Sequence, residues 1–105
     1  MSIEEIYLFT GTEEVRNRTK MERVLSSLDM NKTSITKYDA DFINISEIME
    51  DAITIPFLAD TKVIIVKNPR FLTKETSPIK HDTTTLIKYL KNPVETTVLM
   101  IDAVG

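Results

Sequence analysis

The spacing of apolar residues changes period several times along the chain, and each change marks an element. Ile6-Tyr7-Leu8-Phe9 is a short continuous apolar run stopped by Thr10-Gly11. Such a run suits a strand covered on both faces, as in a parallel sheet. Met21, Val24, Leu25 and Leu28 then fall at helical spacing and form one stripe. Thr12 or Thr10 can cap this helix, Glu13 and Glu14 suit its positive N-terminal end, and Asp29-Met30-Asn31 should end it. Ser34 to Tyr38 alternates polar and apolar residues, as a strand near a sheet edge would.

Asn44 and Glu47 form a capping-box-like pair, followed by Ile45, Ile48, Met49, Ala52 and Ile53 on one helical face. Pro56 blocks continuation of that helix. Lys62 to Lys67 is a β-branched run flanked by lysines and predicts a buried strand, ended by Asn68-Pro69. Residues 70–82 read as a loop. Leu86, Ile87, Tyr89 and Leu90 predict a short helix stopped at Asn92-Pro93, and Thr96 to Ile101 a last strand.

The order is β-α-β-α-β-α-β. It predicts an α/β fold in three layers: a parallel sheet with right-handed crossovers and helices on both faces. Residues 1–105 form one domain on this reading. The final strand runs to Gly105 with nothing after it to cover the sheet, the pattern expected of a domain from a longer protein.

Composition narrows the function classes. Apolar residues are 42% and charged residues 28%, and the net charge of −3 argues against bulk attraction to nucleic acid. The absence of cysteine excludes disulfides, thiolate zinc sites and thiol nucleophiles, and fits a reducing cytoplasm. The first residues are acidic and lack the apolar core of a signal peptide. No stretch approaches the ~18 apolar residues of a membrane span.

Open parallel sheets bind ligands beyond the C-terminal ends of their strands. There the turn reads Gly11-Thr12-Glu13-Glu14-Val15-Arg16-Asn17-Arg18. A phosphate-binding loop needs a second glycine and a Lys-Ser/Thr pair, so that backbone N–H groups and an ammonium surround the phosphates. Neither is present, and two carboxylates repel phosphate instead. Gly11, Thr12, Glu13 and Glu14 thus read as a degenerate, non-binding phosphate loop, or equally as an ordinary turn into a capped helix. The third strand ends in Lys67-Asn68 and not in the acids that hold magnesium. His81, the one histidine, lies beside Asp82 in a predicted loop, where a solvated or helix-capping role outweighs a catalytic one. Asp102 ends the last strand, where a turn role outweighs a binding one, and Ser77, Thr83, Thr84 and Thr85 have no base at a readable spacing. No catalytic residue and no cofactor is expected.

One stretch resists this bland account. Ile55-Pro56-Phe57-Leu58 places large apolar residues in a surface connection between the second helix and the third strand. Phe57 and Leu58 could fold back to plug the gap between those elements. Alternatively, Phe57 with Ile55 or Leu58 enters a partner's pocket, with Pro56 holding the turn rigid.

IYLFTGTEE at the first strand, ISEIMEDAITIPFLADTKVIIVKNPRFL in the centre and LIKYLKNPVETTVLMID near the end resemble the N-terminal domain of the bacterial DNA polymerase III delta subunit, a clamp-loader component. The resemblance runs from Ile6 to about Asp102. It implies an AAA+-like, P-loop-type fold that has lost ATP binding, and no enzymatic activity in this domain itself. It implies a partner, the ring-shaped sliding clamp (the polymerase III beta subunit), held open so that DNA can enter. Family members insert an apolar pair at the end of the second helix into the clamp. Phe57 matches the phenylalanine of that pair. Pro56 stands where a leucine is usual, so the second anchor is Ile55 or Leu58.

Other clamp-loader subunits would contact C-terminal domains beyond these residues. DNA would be touched only indirectly, and Lys62, Lys67, Arg70 and Lys74 read as a solvated face more readily than as DNA contacts. Rival readings are a small α/β nucleotide- or phosphate-binding enzyme domain, marked by an open cavity at Gly11-Thr12, or an interaction module with another partner.

Overall fold

A computed structural model describes residues 5–11, 14–56, 59–72 and 76–104. The strands are β1 (Ile6–Gly11), β2 (Thr33–Asp39), β3 (Thr61–Lys67) and β4 (Thr97–Val104), and the helices α1 (Glu14–Ser26), α2 (Ile45–Ile53) and α3 (Thr84–Lys91). The sheet is wholly parallel with strand order β1-β4-β3-β2. The last strand in sequence therefore lies inside, between β1 and β3. The expected α/β architecture is present, with helices on both faces.

Strand parity sorts the core into two halves, because successive side chains point to opposite faces. Val63, Ile65, Val98 and Met100 pack with Phe9 and with Val24 of α1. Ile64, Val66, Leu99 and Ile101 face the other way, onto Ile45, Ile48, Met49 and Ala52 of α2 and Leu86 and Tyr89 of α3. Full burial of each such aliphatic side chain contributes roughly 1.5–3 kcal/mol. The doubly covered strands β3 and β4 read as continuous apolar runs for this reason.

Four expectations need correction. The IYLF run is not covered on both faces: among the described strands β1 is a terminal one, and Leu8 is 58% exposed. Ile53 does not join the buried face of α2 but is 59% exposed at the last position of the helix, where it lines an open groove with Met49, Lys88 and Tyr89. Within residues 70–82 the chain makes a 3-10 turn at Arg70–Leu72. The first helix stops at Ser26, slightly before the predicted Asp29-Met30-Asn31. Asp29 builds the following turn, accepting the Asn31 N–H on Oδ1 at 3.0 Å and the Lys32 N–H on its carbonyl at 2.9 Å.

Candidate functional site

The two sequence stretches of interest lie at opposite rims of the sheet. Gly11 ends β1 at the C-terminal rim, whereas Ile55 and Pro56 lead into the start of β3 at the N-terminal rim. Because all strands run the same way, every helix-to-strand connection must emerge at the N-terminal rim.

At the C-terminal rim, Glu14 opens α1, while Thr12 and Glu13 lie outside the described residues. A cavity of about 270 Å³ sits between α1 and the ends of β2, β3 and β4, with Arg18, Glu22, Lys37, Lys67 and Asp102 among its lining residues. Its charges are mixed. Nearby, Asn68 takes a left-handed conformation (φ 54°), which asparagine tolerates better than most residues. Its side-chain amide donates to Asp39 Oδ1 at 3.0 Å. That bond, then the one from the Asp41 N–H, holds the Asp39 carboxyl below its ordinary range. Arg70 makes a two-pronged pair with Asp41, at 2.8 and 3.2 Å, so it is committed within the domain.

His81 has a structural task. Its Nδ1 accepts the Ile45 N–H at 2.9 Å, and its Nε2 bonds the Ala40 carbonyl at 2.8 Å. An accepting Nδ1 places the ring proton on Nε2. The ring also packs on Phe71 with centroids 4.5 Å apart. Asn44 caps the same helix, its Oδ1 accepting from Ser46 N–H at 3.1 Å and Asp82 N–H at 3.2 Å. The first N–H of α2 is thus served by a residue 36 positions away, and Asn44 Oδ1 takes the Ser46 N–H instead of the Glu47 N–H that the expected capping box would use.

At the N-terminal rim the end of α2 is tied down by side chains. Helix ends leave carbonyls without intrahelical partners. Here Thr54 Oγ1 donates to the Glu50 carbonyl at 2.8 Å, and Thr97 Oγ1 to the Ala52 carbonyl at 2.9 Å. Lys62 adds further donors. Its Nζ donates to the Asp51 carbonyl at 2.9 Å, to Asp51 Oδ1 at 2.8 Å and to the Thr54 carbonyl at 2.8 Å. All three ammonium protons are used, and the side chain is 9% exposed.

No basic residue lies in the last turn of α2 itself. Lys62 places the positive charge there from β3, where the helix dipole favours it. Tyr38 donates its hydroxyl to Asp51 Oδ2. Burial alone would raise the Asp51 carboxyl, but the bonds from Lys62 and Tyr38 and the Lys62 charge outweigh it and hold the group below its ordinary range. The same bond to Asp51, with burial, pushes the Tyr38 phenol up to about 12.

Beyond this tie, Ile55 is 74% exposed and Pro56 is half-buried. Phe57 and Leu58 lie outside the described residues. The chain is caught again at Asp60 and Thr61, whose N–H groups both donate to the Lys32 carbonyl, at 2.8 and 3.1 Å. Lys62 is therefore not part of a solvated lysine face, and the sequence reading missed it, along with Asp51 and Tyr38. Its parity with Ile64 and Val66 was the available signal: all three share the face that packs on α2 and α3.

Among the described residues no group of three or more histidines, aspartates or glutamates could hold a metal ion, and no helix is long and apolar enough to cross a membrane. The comparisons with known proteins agree with one another. A curated DNA polymerase III subunit delta from Bacillus subtilis (strain 168) is 26% identical over 104 residues, 94% of this chain and 30% of the relative. The solved structure of the Bacillus subtilis DNA clamp loader delta protein superposes with a TM-score of 0.81 at 27% identity, over 96% of this chain and 31% of that one. The chain thus spans about a third of the length of the relatives it matches. The sequence profile described as DNA polymerase III, delta subunit, matches residues 7–105, and the chain belongs to that clamp-loader family.

Proposed function

We propose that this domain binds the sliding clamp, the polymerase III beta subunit, through Ile55, Pro56, Phe57 and Leu58, and that this contact helps open the ring for loading onto DNA in the cytoplasm. The observation that carries the reading is Ile55: in a connection just past a helix whose Ile45, Ile48, Met49 and Ala52 are buried, a large aliphatic side chain stands 74% exposed. A single exposed aliphatic is common. This one adjoins the stretch that the family resemblance assigns to the clamp, and membership of the delta family supports the assignment.

Each anchor buried in the partner contributes roughly 1.5–3 kcal/mol. Binding displaces the ring toward its open form only by its differential affinity for that form. The domain acts as a wedge, and ATP-using subunits of the loader supply the timing through other domains.

Replacing both Phe57→Ala and Leu58→Ala abolishes co-elution with purified clamp and leaves the melting temperature nearly unchanged. Normal co-elution by the double variant rejects the reading. Ile55→Ala and Leu58→Ala, tested singly, decide the second anchor: its loss weakens binding by about tenfold or more, as deletion of a hot-spot side chain does.

A further inference from the structure

We infer that the clamp contact extends from Ile55 into the open groove between α2 and α3, with Ile53 as a further apolar anchor and the sliding clamp as the occupant of the groove. The inference rests on the proposed clamp contact and deepens it.

The groove has a volume of about 250 Å³. Both helices connect parallel strands and pack on the same face of the sheet, so they run in the same direction, from the C-terminal rim to the N-terminal one. Ser46 and Thr85, near the two helix starts, lie at one end of the groove. Ile53, the last residue of α2, and Asn92, the C-cap of α3, lie at the other. Met49 and Tyr89 are buried and form its floor, while Ile53 stands exposed at its mouth. Ile55 follows two residues later. The mouth of the groove and the start of the candidate clamp stretch therefore share the N-terminal rim.

Two arguments select the occupant. A specific protein interface takes roughly 20–30 residues from each side. Residues 55–58 alone cannot supply that, so a clamp seated on them must also cover adjoining surface. The groove is adjoining surface with an apolar floor and an exposed large aliphatic at its edge. The second argument is charge. Glu50 on α2 and Lys88 on α3 line opposite walls with opposite signs. The lining lacks the run of cations that nucleic acid would need, and it suits an apolar projection with a polar rim. The exposure of Ile53, an irregularity within the domain alone, becomes a contact in the complex.

The test uses the full-length protein and the purified polymerase III beta clamp. Amine-directed labelling compares each lysine in the free and clamp-bound protein. Lys88 should lose reactivity in the complex, whereas Lys37, which lines the cavity at the opposite rim, should keep it. Ile53→Ala should weaken clamp binding roughly tenfold, the effect of deleting a side chain that the partner buries. The melting temperature should stay nearly unchanged, because that side chain is exposed in the free protein.

Full reactivity of Lys88 in the complex, or undiminished affinity of Ile53→Ala, overturns the inference. Lys88 already protected in the free protein would assign the groove to another segment of the same chain, and that overturns it too. So does protection that appears only when further loader subunits are added. The Phe57→Ala, Leu58→Ala double variant separates this inference from the reading beneath it. If the double variant loses binding and Ile53→Ala does not, the clamp contact stands and its extension falls. If neither weakens binding, the clamp contact itself is wrong.

Discussion

Tyr38 and Asp51 titrate in opposite directions for one reason: the hydrogen bond between them is strongest with the phenol protonated and the carboxyl ionised. For Tyr38 the folded value is raised from 10.0 to about 12. Its contribution to stability is therefore complete below pH 10 and is lost as pH rises from 10 toward 12. For Asp51 the folded value is lowered, so its contribution is present above the ordinary value of 3.8 and is lost as pH falls through the folded value. Urea midpoints of the wild type should fall across both windows. Tyr38→Phe should flatten the alkaline decline and Asp51→Asn the acid one. Parallel pH curves for variant and wild type would show that the bond contributes nothing. At this scale the sequence hid the decisive residue. Lys62 looks like any lysine flanking a strand, and its partners lie 8 to 11 positions back in a different element, a distance no local spacing rule covers.

Helix α2 is the element on which the rest turns, and its two ends are fixed by different segments of the chain. The N-cap role of Asn44 was legible, because N-cap signals are local. The contribution of His81 was legible only as one option among several, since nothing in the sequence near residue 81 says that Ile45 lies beside it. His81→Ala removes the acceptor of the Ile45 N–H, the partner of the Ala40 carbonyl and the packing on Phe71. The unpaired groups and lost cap together should lower stability by about 2 kcal/mol. A urea titration would read this as a lower midpoint at constant slope. A change below about 0.5 kcal/mol would mean that water replaces the imidazole without loss. The exposure of Ile53 and the open face of Leu8 were misread because periodicity reports which residues share a face, and not how far the neighbouring layer extends.

For the molecule as a whole, the alternation of periods was sufficient to predict the parallel three-layer architecture, because parallel strands need helical crossovers and covered faces. Strand order was not predicted. The insertion of β4 between β1 and β3 depends on which apolar faces meet, which the element sequence leaves open. The separation of the two rims bears on nucleotide binding. The β1–α1 turn lacks the Lys-Ser/Thr pair, and β3 ends at Lys67 and Asn68 with the Asn68 amide committed to Asp39. Calorimetric titration with ATP and magnesium should therefore give no binding heat in the micromolar range. A measured micromolar affinity would require that the cradle be assembled from other residues.

The central position of the last strand has a consequence for synthesis on the ribosome. β1 pairs with β4, Ile6 opposite Leu99, across almost the whole length of the chain. While the nascent chain emerges, β2 and β3 can associate early, but among the described strands β1 has no neighbour until β4 arrives. Contacts of such high order form slowly. Until then Phe9 and the apolar face of α1 are open to other chains, so this domain should depend on chaperones more than its size suggests.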